Sequence, residues 1–308
     1  MVWAWKNNSA IGAAAVKQLS IHQCELLSSL AKRLAEIPGI EAVVLGGSHA
    51  RGYAQPGSDI DLGLFYTETA PFSVQSVREL AQELNDTPGP VVSDLYGWGP
   101  WVNGGAWLTI GGQRVDFLYR NCEQVERTIN DAEGGRYEVH YLQQPPFGFF
   151  SATYLGEIAV CVPLFDPEAR IEKLKSRVEH YPEALRRAVV QDYLFMAEFT
   201  LTAFAPKVAA RSDTYGTAAC LSRAVNEMVL ALFALNRKYP LNDKTVLLEI
   251  AEFGRAPQDF GLRVQKALAH LGTSAPELLS AVEAITHLLR ETIKQAEGVY
   301  KPRYNLPK

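Results

Sequence analysis

Apolar positions first recur at helical spacing at Leu27, Leu30, Leu34 and Ile37, with Ser20 placed to cap the helix and Pro38-Gly39 to end it. An apolar run, Ile40 to Leu45, follows and predicts a strand. Leu62-Gly63-Leu64-Phe65-Tyr66 predicts a second. Val74, Val77, Leu80, Ala81 and Leu84 then mark an amphipathic helix capped near Ser73, which the breaker cluster Thr87-Pro88-Gly89-Pro90 brings to an end. Helix, strand, strand and helix alternate as in an α/β layer. Further on, Ala106 to Ile110 and Arg114 to Tyr119 are joined by Gly111-Gly112-Gln113, a short glycine connection that predicts a hairpin.

The pattern changes at Asp166. Asp166-Pro167-Glu168 reads as a cap, a first-turn proline and an acid, and only helical spacings follow. Pro182 opens a helix towards Ala205, and Ser212 is placed to cap one containing Leu221, Val225, Met228, Val229 and Leu232. Leu241-Asn242-Asp243-Lys244 opens a shorter helix, and others are expected near Pro257 and Pro276. Two domains follow from this pattern: a mixed strand and helix domain over residues 1–165 and a helical bundle over residues 166–308.

Composition adds size and compartment. The 308 residues, 47% of them hydrophobic, suffice for two cores. The net charge of -4 excludes a nucleic-acid-coating protein, and no basic stripe with interleaved aromatics points to nucleic acid. Residues 1–165 hold 10 Lys+Arg against 17 Asp+Glu, and residues 166–308 hold 20 against 17. An acidic half facing a mildly basic half suits a metal-bound polyanion. Cys24, Cys122, Cys161 and Cys220 are widely spaced, which reads as reduced thiols in a cytoplasmic protein. No targeting segment is evident, and no run is read as the roughly 20 apolar residues of a membrane span, so a soluble protein is expected.

The candidate chemistry lies between the first two strands. Gly46-Gly47-Ser48 ends the first, and Asp59 and Asp61 open the second. Residues two apart in a strand share a face, so the two carboxylates aim at one point, as a hard oxygen-ligated cation such as Mg²⁺ requires. The glycines allow backbone amides to approach a phosphate, and Ser48 adds a hydroxyl. Asp116 stands alone among β-formers in the hairpin's second strand. A carboxylate there is costly unless paired or metal-bound, which makes it a third ligand beside the first two.

Arg51, one helical turn beyond Ser48, and Lys244, at a helix start in the basic half, are candidate phosphate contacts; each has an ordinary surface role as its alternative. Arg114 shares the strand face of Asp116 and can balance the acids. His49 and His140 have no partner at metal-ligand spacing and read as structural or surface histidines. Trp98, Trp101 and Trp107 read as core packing or as a platform for a nucleobase. Glu157 reads as a helix-surface acid or a base, and Lys301 and Arg303 as a solvated tail.

Gly47-Ser48, ten intervening residues, Asp59-x-Asp61 and a later acid in a strand resemble the signature of the DNA polymerase beta-like nucleotidyltransferase superfamily. The motif covers residues 46 to 116. The layout with a helical second half looks like the antibiotic nucleotidyltransferases. The resemblance implies an α+β fold, with a small mixed sheet, helices on one side, and an all-α domain after it. It implies transfer of a nucleoside monophosphate, AMP from ATP, to a hydroxyl of a small molecule or protein, by two Mg²⁺ ions and with release of pyrophosphate. Asp59, Asp61 and Asp116 would be the metal ligands and catalytic carboxylates. Gly46, Gly47, Ser48 and Ser58 would hold phosphates. The alternative is an NTP-binding sensor or regulatory module without turnover.

Overall fold

A computed structural model describes residues 19–304. The chain divides into two compact units: residues up to Asn130 with Val139–Glu179, and Asp131–Glu138 with residues from His180 on.

The first unit is built on a six-stranded sheet in the order β3-β4-β5-β2-β1-β8. Its strands are β1 (Ala42–Leu45), β2 (Ile60–Tyr66), β3 (Val91–Val92), β4 (Gly105–Ile110), β5 (Gln113–Asn121) and β8 (Val162–Phe165). Every pairing is antiparallel except that of β2 with β5. Helix α1 (Ile21–Ala35) starts at a capping box, with Ser20 Oγ accepting from the Gln23 amide and the Gln23 side chain accepting from the Ser20 amide. Its Leu27, Leu30 and Leu34 enter one core with Val77, Leu80 and Ala81 of α3 (Val74–Leu84). That core lies against Ile60, Leu62 and Leu64 of β2 and Val115, Phe117 and Tyr119 of β5. The alternation of strand side chains leaves Asp61 and Asp116 on the opposite face.

That second face is not bare, as helices on one side only would leave it. Tyr154 and Glu157 of α5 (Thr153–Val160) meet Arg120 of β5, a buried residue with the parity of Asp116. Between α3 and α5 lies α4 (Cys122–Glu133), and a short ribbon pairs β6 (Val139–His140) with β7 (Phe149–Phe150).

The change of unit comes later than the change of pattern at residue 166. Helix α6 (Arg170–Val178) belongs with the first unit, where Lys175 Nζ donates to the carbonyls of Ile158, Ala159 and Cys161 at 3.2, 2.9 and 2.7 Å. Asp166 does cap this helix, but from four residues before its start, accepting from the Arg170 and Glu172 amides.

The second unit is helical, with no strand among its described residues. Helix α7 (Glu183–Phe199) runs through a π turn, Thr200–Phe204, into α8 (Ala205–Ala209). Helix α9 (Thr214–Leu235) is capped by Asp213, which accepts from the Gly216 amide, rather than by Ser212. Ser212 has φ +59° and lies outside the cap. By length and composition the 22-residue α9 is apolar enough to cross a membrane, contrary to the sequence expectation. Here its continuous buried run from Glu227 to Leu235 serves as core. Helix α10 begins at Val246 (Val246–Ile250) instead of Lys244, and α11 (Phe260–Ala269) and α12 (Ala275–Gln295) complete the unit.

Candidate active site

The site is organised by strand register. In the parallel pair β2/β5, Asp61 stands opposite Asp116 and Ile60 opposite Val115. The Gly46 amide donates to the Asp61 carbonyl at 2.8 Å, which ties the glycine turn to the same point of the sheet.

The turn then enters a five-residue helix, α2 (Gly47–Arg51), ended by Gly52 with φ +73°. Gly47 has φ +59°, and a Cβ there would meet Asp61 Oδ2 at 1.7 Å. Both facts demand glycine: the left-handed backbone disfavours a side chain, and the Asp61 carboxylate already occupies its place. The glycine is therefore a seat for the Asp61 carboxylate. Ser48 is half-buried at the start of α2, and its carbonyl accepts from the Tyr53 amide at 3.0 Å.

Asp59 lies one residue before β2, alongside Arg114. Arg114 Nε is 2.5 Å from Asp59 Oδ1, a charge contact without hydrogen-bond angles, and Arg114 Nη2 donates to the Gly57 carbonyl at 3.0 Å. The expected balance between Arg114 and the acids takes this form. Ser58 Oγ accepts from the Gln55 amide at 2.9 Å and so braces the turn before Asp59.

Asp59, Asp61 and Asp116 are all half-buried. Their oxygens are the donor type a hard divalent cation takes, and the buried Asp59 Oδ1 has no hydrogen-bond donor. Among the described residues no three acidic, histidine or cysteine groups already converge as a metal-binding cluster. The Arg114 guanidinium at Asp59 holds one of the three towards a positive charge that the chain itself supplies.

The remaining nominated residues divide. The Arg51 guanidinium lies 5.3 Å from the centre of the Tyr53 ring. His49 is 4% exposed and its pKa is lowered, by burial above all, with the Ser58 main chain opposing. Lys244 lies in the second unit, exposed in the bend before α10, its amide donating to Asn242 Oδ1 at 2.8 Å. Glu157 is engaged rather than free: Arg120 Nε and Nη2 donate to its two oxygens at 2.7 and 2.8 Å. Burial alone would lower the Arg120 pKa, but the charge and hydrogen bonds of Glu157 outweigh it and hold the guanidinium ionised, with Asp61 adding to the effect.

Two features escape the sequence reading. Arg120 carries a buried positive charge on the carboxylate face, and its signal was the parity of 114, 116, 118 and 120 in one strand. The tryptophans split as well: Trp101 is buried, whereas Trp107 is 50% exposed and stacked on Trp98.

Comparison with known proteins bears on the same stretch. Residues 27–131 match the family model described as a nucleotidyltransferase domain. Residues 151–244 match a model described as a domain of unknown function, DUF4037. No curated protein matches the chain significantly. Among solved structures, a nucleotidyltransferase-like protein from Exiguobacterium sibiricum is similar at 10% identity, over 88% of this chain and 78% of that one, with a TM-score of 0.43. The span from the glycine turn to Asp116 thus falls wholly within the stretch that matches the nucleotidyltransferase-domain model.

Proposed function

We propose that the chain transfers a nucleoside monophosphate, with AMP from ATP as the preferred case, to a hydroxyl of a small molecule or protein and releases pyrophosphate. The observation that carries this reading is the register of Asp61 with Asp116, with Asp59 one residue before the same strand and Gly47 shaped around Asp61.

Asp59, Asp61 and Asp116 are the residues that would hold two Mg²⁺ ions, and their hard oxygen donors fit that ion. Bound there, the metal supplies charge neutralisation of the phosphates and of the oxygens that attack and leave. The Gly46 and Gly47 amides and the Ser48 hydroxyl would bind the terminal phosphates, with Ser58 as a further donor. Arg51 is the proposed cation for the triphosphate, and Lys244 a second candidate. Asp116, across from Asp61, is assigned to orient the acceptor hydroxyl. Positioning and electrostatics carry most phosphoryl transfer, so a rigid strand register is a suitable frame for it. The four free cysteines support a reducing, cytoplasmic setting.

The test is incubation with each α-labelled NTP, Mg²⁺ and a cell extract, with Asp59→Ala and Asp116→Ala as comparisons. Label transfer and pyrophosphate release that both variants lose support the reading; none with any NTP, or no loss in the variants, refutes it. One observation favours a binding module without turnover: the Arg114 charge placed on Asp59 where a cation would sit. That reading expects tight NTP binding by calorimetry with no pyrophosphate under any acceptor condition.

A further inference from the structure

Trp107 of β4 stands directly across from Asp116 of β5, and Asp116 across from Asp61 of β2. Cross-strand partners share a face, with Cβ atoms about 4.5–5.5 Å apart. Val91 lies beyond Trp107, and Gly46 bonds to Asp61 at the other end. One row therefore crosses the sheet, from the glycine turn through two carboxylates to a half-exposed indole.

That indole is held in place from below. Trp107 stacks on Trp98 with ring centres 4.4 Å apart and planes 18° from parallel. Gly105 makes the room, since a Cβ there would meet the Phe117 carbonyl oxygen at 1.9 Å and the Trp98 ring at 3.0 Å. The Trp98 carbonyl accepts from Gln143 Nε2 at 2.7 Å, and Gln143 Oε1 accepts from the Trp101 amide at 2.8 Å. A large apolar ring left half in water on a braced support is a surface ready to be covered, with little ordering cost when a ligand arrives.

We propose that Trp107, backed by Trp98, is the platform for the acceptor, and that the acceptor presents a sugar ring whose own hydroxyl faces Asp116. This rests on the nucleotidyl-transfer reading above. In-line displacement sets the attacking and leaving oxygens on opposite sides of the α-phosphorus. With the terminal phosphates at Gly46 to Ser48, pyrophosphate departs towards the turn, so the attacking hydroxyl enters from the Trp107 end of the row. Its oxygen bonds to the α-phosphorus as the bond to the bridging oxygen breaks. The electron pair leaves with pyrophosphate, and the hydroxyl proton passes to solvent by way of Asp116.

The chemistry of the row selects the ring. One strand spacing, about 4.8 Å, separates Trp107 from Asp116, so a hydroxyl carried on the stacked ring itself reaches the carboxylate. The indole face is negative and attracts the polarised C–H groups of a sugar. Three carboxylates nearby favour neutral or amino sugars over anionic ones. Serine and threonine offer no ring, and tyrosine, which could stack on the indole as Trp98 does, is the competing occupant that the test separates.

The test uses the full chain labelled with 5-fluorotryptophan, the Trp107 resonance being assigned by its loss in Trp107→Phe. Probes are methyl glycosides of neutral and amino hexoses, N-acetyltyrosine amide, and magnesium α,β-methylene-ATP. Glycosides are expected to shift the Trp107 signal. Trp107→Ala is expected to weaken glycoside binding about tenfold, and Trp107→Phe by less, with affinity for the ATP analogue the same in both variants. The proposal is overturned if no glycoside shifts the signal, if only the tyrosine derivative does, or if Trp107→Ala loses the ATP analogue, which would assign the platform to a nucleobase. Glycoside binding in a chain that binds no ATP analogue would leave the platform in place and remove the transfer reading.

Discussion

Gly47→Ala is the sharpest probe of how this site is built, because two separable penalties meet at one atom. The backbone at Gly47 has φ +59°, and placing an alanine in the left-handed region costs about 1–2 kcal/mol. The new Cβ also falls 1.7 Å from Asp61 Oδ2 and 2.6 Å from Asp61 Cγ, so the carboxylate must swing away at a further cost of about 0.5–1.5 kcal/mol. A total loss of about 1.5–3.5 kcal/mol is expected. Gly57→Ala isolates the first part, since Gly57 has φ +84° with nothing within 4 Å of its Cβ position. The second part is isolated by Asp61→Ala, which removes the Oδ2 and Cγ atoms and leaves the residue-61 Cβ 3.1 Å from the methyl position. Urea titrations of the four members of the Gly47→Ala and Asp61→Ala cycle, with equal m-values as the condition for comparison, give the coupling. Gly47→Ala should cost about 0.5–1.5 kcal/mol less in the Asp61→Ala background than in the wild type. Strict additivity would refute the packing of the carboxylate against the Gly47 Cα.

The other expectations concern charge. Asp61→Asn and Asp116→Asn should each cut pyrophosphate release by about 10²-fold or more, read by a coupled phosphate assay, with circular dichroism unchanged. Arg114→Gln should tighten Mg²⁺ binding measured by calorimetry while changing the stability read from urea titration by no more than about 0.5 kcal/mol, the Arg114 side chain being largely in water; weaker Mg²⁺ binding would count against Arg114 as a stand-in cation. Glu157→Gln leaves the Arg120 guanidinium buried without its counter-charge and should cost about 3 kcal/mol in chemical denaturation, whereas an unchanged midpoint would show that water replaces the carboxylate. Burial raises the Glu227 pKa against the opposing Arg223 and Thr200 bonds, so the folded chain holds this proton to higher pH than the unfolded chain does. That contribution is present at low pH and fades as pH rises through the folded value. Glu227→Gln should accordingly gain on the wild type in paired urea titrations as pH rises above the ordinary carboxylate range, and the reverse trend would contradict the direction.

The motif from Gly46 to Asp61 and the hairpin carrying Asp116 were legible because each is a local pattern: a glycine turn at a strand end, a two-residue period, a glycine connection. Their meeting followed from the type of layer alone. The Arg120–Glu157 pair and the Trp98–Trp107 stack were not legible, since each joins a strand residue to one on a helix or loop whose packing against the sheet no local pattern specifies. Helix starts were the weakest reading in the second unit. Asp213 takes the cap where Ser212 was expected, because the residue with the extended backbone caps, and Ser212 has a left-handed one. Helix α9 reads from the sequence as one apolar set, Leu221, Val225, Met228, Val229 and Leu232, yet its buried face widens towards the C-terminal end until it surrounds the helix.

The parallel pairing of β2 with β5 has a consequence for how the protein comes to exist. Every other strand contact in the sheet is antiparallel, and the β4–β5 hairpin closes over two residues, but Asp61 meets Asp116 only after the intervening helix and edge strands have been accommodated. Closing such a long segment precedes any reward from it, and contacts of this kind form slowly. The two carboxylates therefore meet only once that segment has closed, and the pairing of β1 with β8, which joins Val44 to Pro163, spans a longer stretch still. Any cation site the two acids form would then depend on the finished β2–β5 register, and affinity for a divalent cation would be absent from chains in which these strands have not paired.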